Sequence, residues 1–265
     1  MTHVANKVTA LADQYKNQTI EGYHGYIDGS YYVAEDLPLY SFYMREYAGV
    51  NENGESTWWM DTYEMNEKGE YVKDADGNKI VNGREATTDY ANASRYIQKS
   101  ALPKVYGGFS TSVSAYGFDA SIAFTYQLGG LVYDSGYAHF MASPYGSFAG
   151  SNYHKDILNS WSEDNKESNI PRLQYGDQYS TGQSDRFLTS ASYLNIQNIN
   201  LGYTLPANFT KKFGVSSLRV YLACDNVVYW SKRQGLDPRY SFSGSTNYAN
   251  YSPIRTISGG LNIVF

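Results

Sequence analysis

The sequence contains little cysteine or histidine and no long apolar run. Of its 265 residues, one is Cys and four are His. A single thiol, Cys224, excludes an internal disulfide framework and a multi-cysteine metal site, and we predict that it is a small buried or lipid-facing apolar residue. No run of about 18 apolar residues is present, so we predict no transmembrane helix.

Basic residues are also scarce relative to acidic ones. Lys and Arg total 21 against 26 Asp and Glu, which gives a formal net charge of −5. Nucleic-acid-binding proteins carry a concentrated basic surface, so this balance argues against a nucleic-acid partner. The first eleven residues lack a basic start followed by an apolar core, so they do not form a signal peptide.

The residue patterns of common catalytic sites are missing as well. The sequence has no nucleophile elbow and no glycine-rich phosphate loop. The histidines are scattered without the spacing of metal ligands, at His3, His24, His139 and His154. We therefore predict no catalysis, no cofactor and no metal site.

One metal-like spacing has to be weighed against that prediction. Asp74, Asp76, Asn78 and Glu85 fall at the first, third, fifth and twelfth positions of a calcium-binding loop. The sixth position needs glycine for a sharp turn, and Lys79 occupies it. We favour a solvated Asp-Gly turn, the chemistry that also recurs at 51–54 and 66–69.

Tyrosine and glycine are abundant, with 28 and 24 copies. Tyrosine favours strands, and it also favours membrane interfaces, where its ring is partly in contact with water. Residues 257–265 alternate between an apolar and a mostly polar parity, and the chain stops on Phe265. Period two indicates a strand with two different faces. An aromatic end suits the girdle of a membrane barrel, and the alternative is an ordinary last strand of a β-sandwich.

Three further segments predict strands. Residues 104–129 form a hairpin that reverses at Tyr116-Gly117, and its second run of 11 residues has the length of a tilted membrane strand. Residues 193–205 change parity near Gln197-Asn198, where we predict a bulge, and 217–229 alternate cleanly.

Two other segments predict irregular or helical structure. Residues 22–32, rich in Gly and Tyr, predict a loop. Residues 153–161 predict a short helix that begins at Ser151 or Asn152.

Charge placement and connection length favour a membrane barrel. The apolar parities of the strands hold no charged residue, and a cation on a lipid-facing position would cost about 2–4 kcal/mol. Connections 116–117 and 206–216 are short, whereas 130–190 and 230–256 are long. Outer-membrane barrels have short periplasmic turns and long extracellular loops, so the last strand is predicted to descend to the periplasm.

The resulting prediction is a single barrel domain that is incomplete in this chain. Residues 1–103 are predicted to hold a strand remnant with extracellular loops and hairpins, and 104–265 the C-terminal barrel strands with their long loops. Five strands are clear, whereas barrels of large transporters have about 22. An open edge is not tolerated in lipid, so we expect the chain to be a fragment whose residue 1 is not the natural start.

Six stretches together resemble the C-terminal part of SusC/RagA-type TonB-linked outer-membrane transporters. They are FYMREYAGVN (42–51), SALPKVYGGF (100–109), YQLGGLVYDSGY (126–137), SDRFLTSASYLNIQNINLGYTLP (184–206), LRVYLACDNVVYWSKRQGLDPRYS (218–241) and YSPIRTISGGLNIVF (251–265). The resemblance implies an all-β fold, a large antiparallel transmembrane β-barrel in the outer membrane of a Gram-negative bacterium. The family's plug and N-terminal domains have no counterpart here.

The resemblance also implies a function and partners. Such transporters import large nutrients, typically glycans or oligosaccharides in polysaccharide utilization and in some members peptides. A SusD-like surface lipoprotein covers the extracellular loops, and TonB–ExbB–ExbD supplies energy through the N-terminal part. The closing strand resembles the signal that the barrel-assembly machinery reads, carried by Ile257, Leu261, Ile263 and Phe265.

Substrate contacts are predicted in the loops. Five loop aromatics could stack on sugar rings: Tyr133, Tyr137, Tyr145, Phe148 and Tyr153. The alternative for each is loop packing or the membrane girdle. An alternative for the whole chain is a soluble all-β carbohydrate-binding module in which the apolar strand faces pack against each other.

Overall fold

The computed structural model describes residues 1–75, 77–144, 146, 150–177, 179–233, 235–247 and 251–265, with only the backbone at position 240. The strands in these residues are β1 Thr2–His3, β2 Gln18–Ile20, β3 Tyr23–Asp28, β4 Tyr31–Ala34, β5 Ser41–Arg45, β6 Tyr47–Val50, β7 Ser56–Tyr63, β8 Val81–Thr87, β9 Arg95–Ser100, β10 Val105–Ala115, β11 Phe118–Leu128, β12 Leu131–Tyr133, β13 Leu188–Ser190, β14 Tyr193–Thr204, β15 Ser217–Ser231 and β16 Thr256–Val264. The helices are α1 Ser135–Phe140 and α2 Ala207–Thr210, with 3₁₀ turns at Asp13–Tyr15, Lys155–Asn159, Asp185–Phe187, Lys211–Phe213 and Pro238–Tyr240.

Among the residues described, no helix combines the length and the apolar character needed to cross a membrane.

The largest sheet has the strand order β1-β10-β11-β14-β15-β16, and every neighbouring pair is antiparallel. Its five long strands coincide with the segments predicted from alternation. The hairpin between β10 and β11 turns at Tyr116 (φ 53°) and Gly117 (φ 85°), the left-handed pair that a two-residue hairpin requires. A Cβ on Gly117 would lie 2.7 Å from the carbonyl oxygen of Thr204, so glycine is needed there.

The predicted bulge in β14 is confirmed. The register between β14 and its neighbours shifts after Ile196, so that Gln197 has no Cα partner in either ladder. On β15 the same level holds Asn226 with φ 51°, a left-handed residue. Gln197 is the extra residue that makes the alternation slip in the sequence, and because the bulge takes it out of the ladder, the apolar residues above and below it lie on the same face.

Strand direction sorts the connections between the two ends of the sheet. We call the end that holds Tyr116-Gly117 the lower end. Because β10 and β14 run down and β11 and β15 run up, the short connection 205–216 is also at the lower end. The long connections 129–192 and 232–255 leave from the upper end. β1 pairs with β10 at that same end, so residues 4–104 form a third upper connection.

The upper connections carry sheets of their own: β2-β3-β4-β5-β9, β6-β7-β8 and the pair β12-β13. The predicted loop at 22–32 is wrong, since these residues form β3 and β4. The glycines supply turns at Gly22 (φ 83°) and Gly29 (φ 58°), and the tyrosines between them pair as strands.

The predicted helix at 153–161 is reduced to the 3₁₀ turn Lys155–Asn159. Its cap is His154, whose Nδ1 accepts a hydrogen bond from the Asp156 N–H at 3.2 Å, and the predicted caps Ser151 and Asn152 lie before it. The helix α1 in the same connection was not predicted. Asp134 caps α1 by accepting from the Tyr137 N–H at 2.9 Å.

The most deeply buried hydrophobic side chains lie in the upper connections. One cluster centres on Tyr32, Ala34 and Leu37. A second is formed by Phe42, Met44 and Ala101. The long strands of the largest sheet therefore have no hydrophobic core of their own within the described chain, and their apolar face must find another environment.

Candidate functional site

One face of the largest sheet is apolar across five strands. Cross-strand neighbours form continuous rows, one of them Phe118, Tyr203, Val220 and Leu261. A second row is Ile122, Ile199, Cys224 and Ile257. Aromatic pairs reinforce the rows, with ring centroids 4.5 Å apart for Phe109 and Phe124.

This apolar face is uncovered and carries no charge. Val113, Leu261 and Ile257 are 66%, 63% and 68% exposed. No Asp, Glu, Lys or Arg occupies the face from β10 to β16. An uncovered apolar surface of this extent marks a contact with lipid or protein. Three of the predicted assembly-signal residues, Ile257, Leu261 and Ile263, lie on it at the edge strand β16.

The opposite face is polar and contains an ion pair that bridges over a strand. Asp119 on β11 and Arg219 on β15 meet above Gly202 of β14, which lies between them. Arg219 donates through Nε to Asp119 Oδ1 at 2.9 Å and through Nη2 to Oδ2 at 2.5 Å. This two-point geometry is the strongest form of an arginine–carboxylate contact.

Amide side chains extend the polar face upward from the ion pair. Asn198 donates to Asp225 Oδ1 at 2.6 Å, and Asn200 donates to Asn198. Nearer the upper end, Asn195 donates to Thr125 Oγ1 at 3.1 Å. The sheet therefore has one apolar face and one hydrogen-bonding face, as a barrel wall between lipid and an aqueous lumen requires.

The three upper connections interlock into one assembly, which we call the loop cap: residues 4–104, 129–192 and 232–255, within the described positions. Tyr31 donates to the Ser243 carbonyl at 2.8 Å, and Gln183 donates to Ser30 Oγ at 2.7 Å. Ser135 Oγ donates to the Thr246 carbonyl at 2.7 Å. Each bond joins two different connections, so the cap is held by tertiary contacts.

The first two connections meet at a second place. Arg172 donates to the Asn53 carbonyl at 2.6 Å and pairs with Glu55 at 3.3 Å. A Cβ on Gly54 would lie 2.4 Å from the Trp161 ring, so glycine allows the indole to pack there. The hairpin turn at 51–54 thus serves as a docking point for residues 161–172.

Tyr133 and Tyr137, two of the predicted substrate-contact residues, come together inside the loop cap around Phe187. Burial raises the pKa of Tyr133 to about 12, and its ring meets Phe187 edge-on with centroids 6.0 Å apart. Tyr137 packs against the same phenylalanine with centroids 6.2 Å apart and donates to Asp156 Oδ2 at 3.0 Å. Burial also raises the pKa of Tyr137, with Asp156 as a further cause.

The other predicted loop aromatics are not part of this cluster as described. Tyr153 is 36% exposed, the most accessible of the three described rings. Tyr145 and Phe148 lie outside the described residues. The stacking role of the five aromatics stays a prediction.

Two arginines that were not predicted from the sequence join the cluster. The guanidinium carbon of Arg233 lies 4.0 Å from the Tyr137 ring centroid, and that of Arg186 lies 5.1 Å from the Phe187 ring and 5.0 Å from Tyr47. Burial lowers the pKa of Arg186. An arginine in a polar loop is usually solvated, so the sequence gave no indication that these two pack on the same aromatic cluster.

A separate polar groove of about 1270 Å³ runs beside β7, β8 and β9. Tyr43, Tyr63 and Tyr96 line it together with Asp61. Tyr96 donates to Asp61 Oδ1 at 2.6 Å. Burial and, second to it, this carboxylate raise the pKa of Tyr96 to about 12, so the phenol remains a hydrogen-bond donor far above neutral pH.

The calcium-like spacing lies at the rim of this groove. Asp74 Oδ1 accepts from the Asn78 N–H at 2.8 Å, and Gly77 donates to the Asp74 carbonyl at 3.1 Å. The predicted Asp-Gly turn is therefore present at the tip of a small hairpin. Asp76 lies outside the described residues, and no group of metal-type ligands gathers among the described ones.

No protein-family model matches the chain. Among characterised proteins, the chain is 28% identical over 245 residues to TonB-dependent receptor P3 of Formosa agariphila, covering 88% of this chain and 23% of that protein. It is 27% identical over 177 residues to TonB-dependent receptor P26 of the same organism, covering 63% of this chain and 17% of that protein. These relatives are receptors and not enzymes.

Solved structures agree with the sequence relatives. A chain in the structure of the RagAB peptide importer in its closed-closed state superposes with a TM-score of 0.70 at 27% identity. The match covers 97% of this chain and 26% of the solved one. The described architecture is therefore that of a β-barrel fragment with its upper loops. The matches cover 23% and 17% of the two receptors and 26% of the solved chain, so this chain spans only part of the length of the proteins that it matches.

Proposed function

Because this chain is part of a SusC/RagA-type TonB-linked transporter of the Gram-negative outer membrane, we propose that it serves the import of a large nutrient across that membrane. In this proposal the five long strands form part of the barrel wall, the apolar face meets lipid, and the polar face lines the lumen. The upper end faces the outside of the cell, so the loop cap receives the nutrient.

The observation that carries the proposal is the uncovered, charge-free apolar face backed by a hydrogen-bonding face. The alternative of a soluble carbohydrate-binding module requires this face to pack against a second sheet. Within the described residues no sheet covers it, and Ile257 is 68% exposed. In water such a surface would aggregate, whereas in lipid it is the stable arrangement.

The proposed partners follow from the two ends of the sheet. A SusD-like surface lipoprotein would cover the loop cap at the upper end. TonB–ExbB–ExbD would act through the remainder of the transporter. Loop aromatics with accessible rings, such as Tyr153, would contribute to ligand contacts at the cap.

We propose an oligosaccharide as the imported nutrient, and a peptide is the second candidate. Aromatic rings in the cap, together with carboxylates and arginines, suit a polyhydroxylated ligand. The peptide is favoured by one observation, the similarity to solved structures described as peptide importers. Uptake of labelled oligosaccharides and labelled peptides by cells carrying the complete transporter decides between them. Accumulation that persists after a protonophore dissipates the proton gradient would contradict TonB-driven import.

The membrane face can be tested by a pair of arginine substitutions. Leu222→Arg places a cation on the apolar face, where the cost at mid-depth is about 2–4 kcal/mol, and we expect the protein to disappear from the outer-membrane fraction. Ser112→Arg on the polar face is the matched control and should leave membrane insertion intact. Equal amounts of both variants in the outer membrane would contradict the assignment of the two faces.

A further inference from the structure

Two guanidinium groups flank the aromatic cluster in the loop cap. Arg186 lies against Phe187 and Arg233 lies over Tyr137, and the two rings have centroids only 6.2 Å apart. Burial is the main cause of the lowered pKa of Arg186, and the charge of Arg233 is a further cause. Like charges in a half-buried site repel each other strongly, because water screens them poorly.

The described carboxylates leave Arg186 unpaired. Arg186 Nη1 donates to the Ser180 carbonyl at 3.0 Å, and neither its Nε nor its Nη2 has a partner among the described residues. Arg233 has one carboxylate, Asp134, at 3.4 Å. Asp134 is itself engaged, because its Oδ1 accepts from the Tyr137 N–H at 2.9 Å.

The other acidic groups nearby are also engaged. Asp185 accepts from the Tyr47 N–H at 2.8 Å, and Asp156 accepts from the Tyr137 hydroxyl at 3.0 Å. Burial raises the pKa of Asp185. The three carboxylates around the arginines are therefore each engaged by other donors, and none of them pairs with Arg186.

From this arrangement we propose that Arg186 and Arg233 form a binding site for one oxyanion group, a carboxylate or a sulfate, on the ligand that the loop cap receives. A guanidinium presents planar, paired N–H donors that match both groups, and a half-buried setting strengthens the contact. The proposal rests on the proposed function only for the origin of the anion. The binding itself is a property of these two side chains.

Thermal unfolding of the complete transporter in detergent micelles tests the site. The melting temperature is measured against increasing sodium acetate and sodium sulfate, with sodium chloride at equal ionic strength as the reference. An anion that binds only the folded protein raises the melting temperature in proportion to the logarithm of its concentration, once that concentration exceeds the dissociation constant. We expect this rise in the wild type and an apparent affinity at least about tenfold weaker in Arg186→Gln and in Arg233→Gln.

Arg95→Gln is the matched control, since it removes an exposed arginine side chain that has no hydrogen bond or ion pair among the described residues. It should keep the full anion response. Response to acetate alone indicates a carboxylate, as on a peptide or an acidic sugar, and response to sulfate alone indicates a sulfate ester. If Arg186→Gln does not fold, Arg233→Gln carries the comparison.

Two results would overturn the site. One is an equal response in the wild type and both glutamine variants, which indicates a general salt effect. The other is no response of the wild type beyond chloride. Either result would leave the proposal of nutrient import standing, because uptake is measured separately in cells. Conversely, a failure of uptake would not change the response of the melting temperature to anions.

Discussion

Gly202 shows how one residue shapes the polar face of the barrel wall. Its missing side chain leaves the space in which Asp119 and Arg219 meet across β14. An ideal Cβ at this position would lie 2.4 Å from Arg219 Nη2 and 2.5 Å from Asp119 Oδ1. Glycine weakens a strand, so its presence near the lower end of β14 is explained by the ion pair that crosses it.

Gly202→Ala should separate the ion pair and destabilise the strand. We expect a loss of about 1–3 kcal/mol in the free energy of unfolding, the usual effect of overpacking. Gly259→Ala is the control, because its Cβ would meet the Tyr221 carbonyl oxygen at 3.5 Å, an ordinary contact. Urea unfolding in detergent measures both variants. Equal stability of the two variants would show that the Asp119–Arg219 ion pair moves aside without cost.

Tyr96 makes the stability of the loop cap depend on pH at the alkaline end. Its pKa is raised to about 12 in the folded chain, whereas an unfolded tyrosine ionises near about 10. Between these values the unfolded state loses its proton first. The free energy of unfolding contributed by Tyr96 is therefore complete below pH of about 10 and is lost as the pH rises toward about 12.

Asp61→Asn should lower the pKa of Tyr96. The carboxylate is the second cause of the shift and burial is the first, so the pKa should stay above the ordinary tyrosine value. The titration of Tyr96 is isolated by subtracting the tyrosinate absorbance of Tyr96→Phe from that of the parent protein, in both backgrounds. A pKa of Tyr96 that does not move would show that the Asp61 contact is not maintained in solution.

At the scale of secondary-structure elements, β14 depends on its bulge. The apolar residues above Gln197 and those below it differ in parity, and they lie on the same face only because the bulge takes Gln197 out of the ladder. A shift by one residue moves every side chain of a strand segment to the other face.

Deletion of Gln197 should therefore close the bulge and leave both halves of β14 facing as they do now, because Ile196 and Ile199 are then two positions apart. We expect the deletion variant to remain in the outer membrane. Gln197→Ala keeps the backbone and should also assemble normally. Membrane fractionation followed by heat-modified mobility on gels measures assembly, and loss of the deletion variant from the membrane would contradict the role of Gln197 as the extra residue.

The alternation of polar and apolar residues made the long strands and the bulge predictable. Each of these strands has two faces in different environments, so apolar and polar residues alternate along its sequence. The elements of the loop cap lack this difference. Residues 22–32 were mistaken for a loop because β3 is mostly exposed without a clean alternation and β4 is only four residues long. The helix α1 is only six residues long, too short for a helical period to appear.

At the scale of the whole molecule, the loop cap is held by a few hydrogen bonds between distant connections. Thr246 is one such point: its Oγ1 donates to the Tyr133 carbonyl at 2.5 Å and accepts from the Ser135 N–H at 3.2 Å. Neither bond could be predicted from the sequence, because the partners are more than a hundred positions apart in unpatterned polar segments. For the same reason, the sequence did not predict that Arg186 and Arg233 lie in one cluster.

Thr246→Val keeps the shape of the side chain and removes its hydroxyl. We expect a loss of about 1–3 kcal/mol locally, since buried partners are left unsatisfied, and faster protease cleavage within residues 232–255. Thr62→Val is the control, since its hydroxyl bonds Asn82 at an exposed site within one small sheet. External protease added to intact cells provides the measurement. Cleavage at the wild-type rate would show that the other cap contacts suffice.

The bond between the Tyr31 hydroxyl and the Ser243 carbonyl sets an order of events during biogenesis. It joins residues 212 positions apart, at opposite ends of the chain. Contacts of such separation form late, because the intervening chain must first be arranged. The loop cap therefore cannot mature segment by segment as the chain emerges. Strand insertion must bring all three connections to the upper end of the sheet before they lock, so assembly of the wall precedes completion of the loop cap.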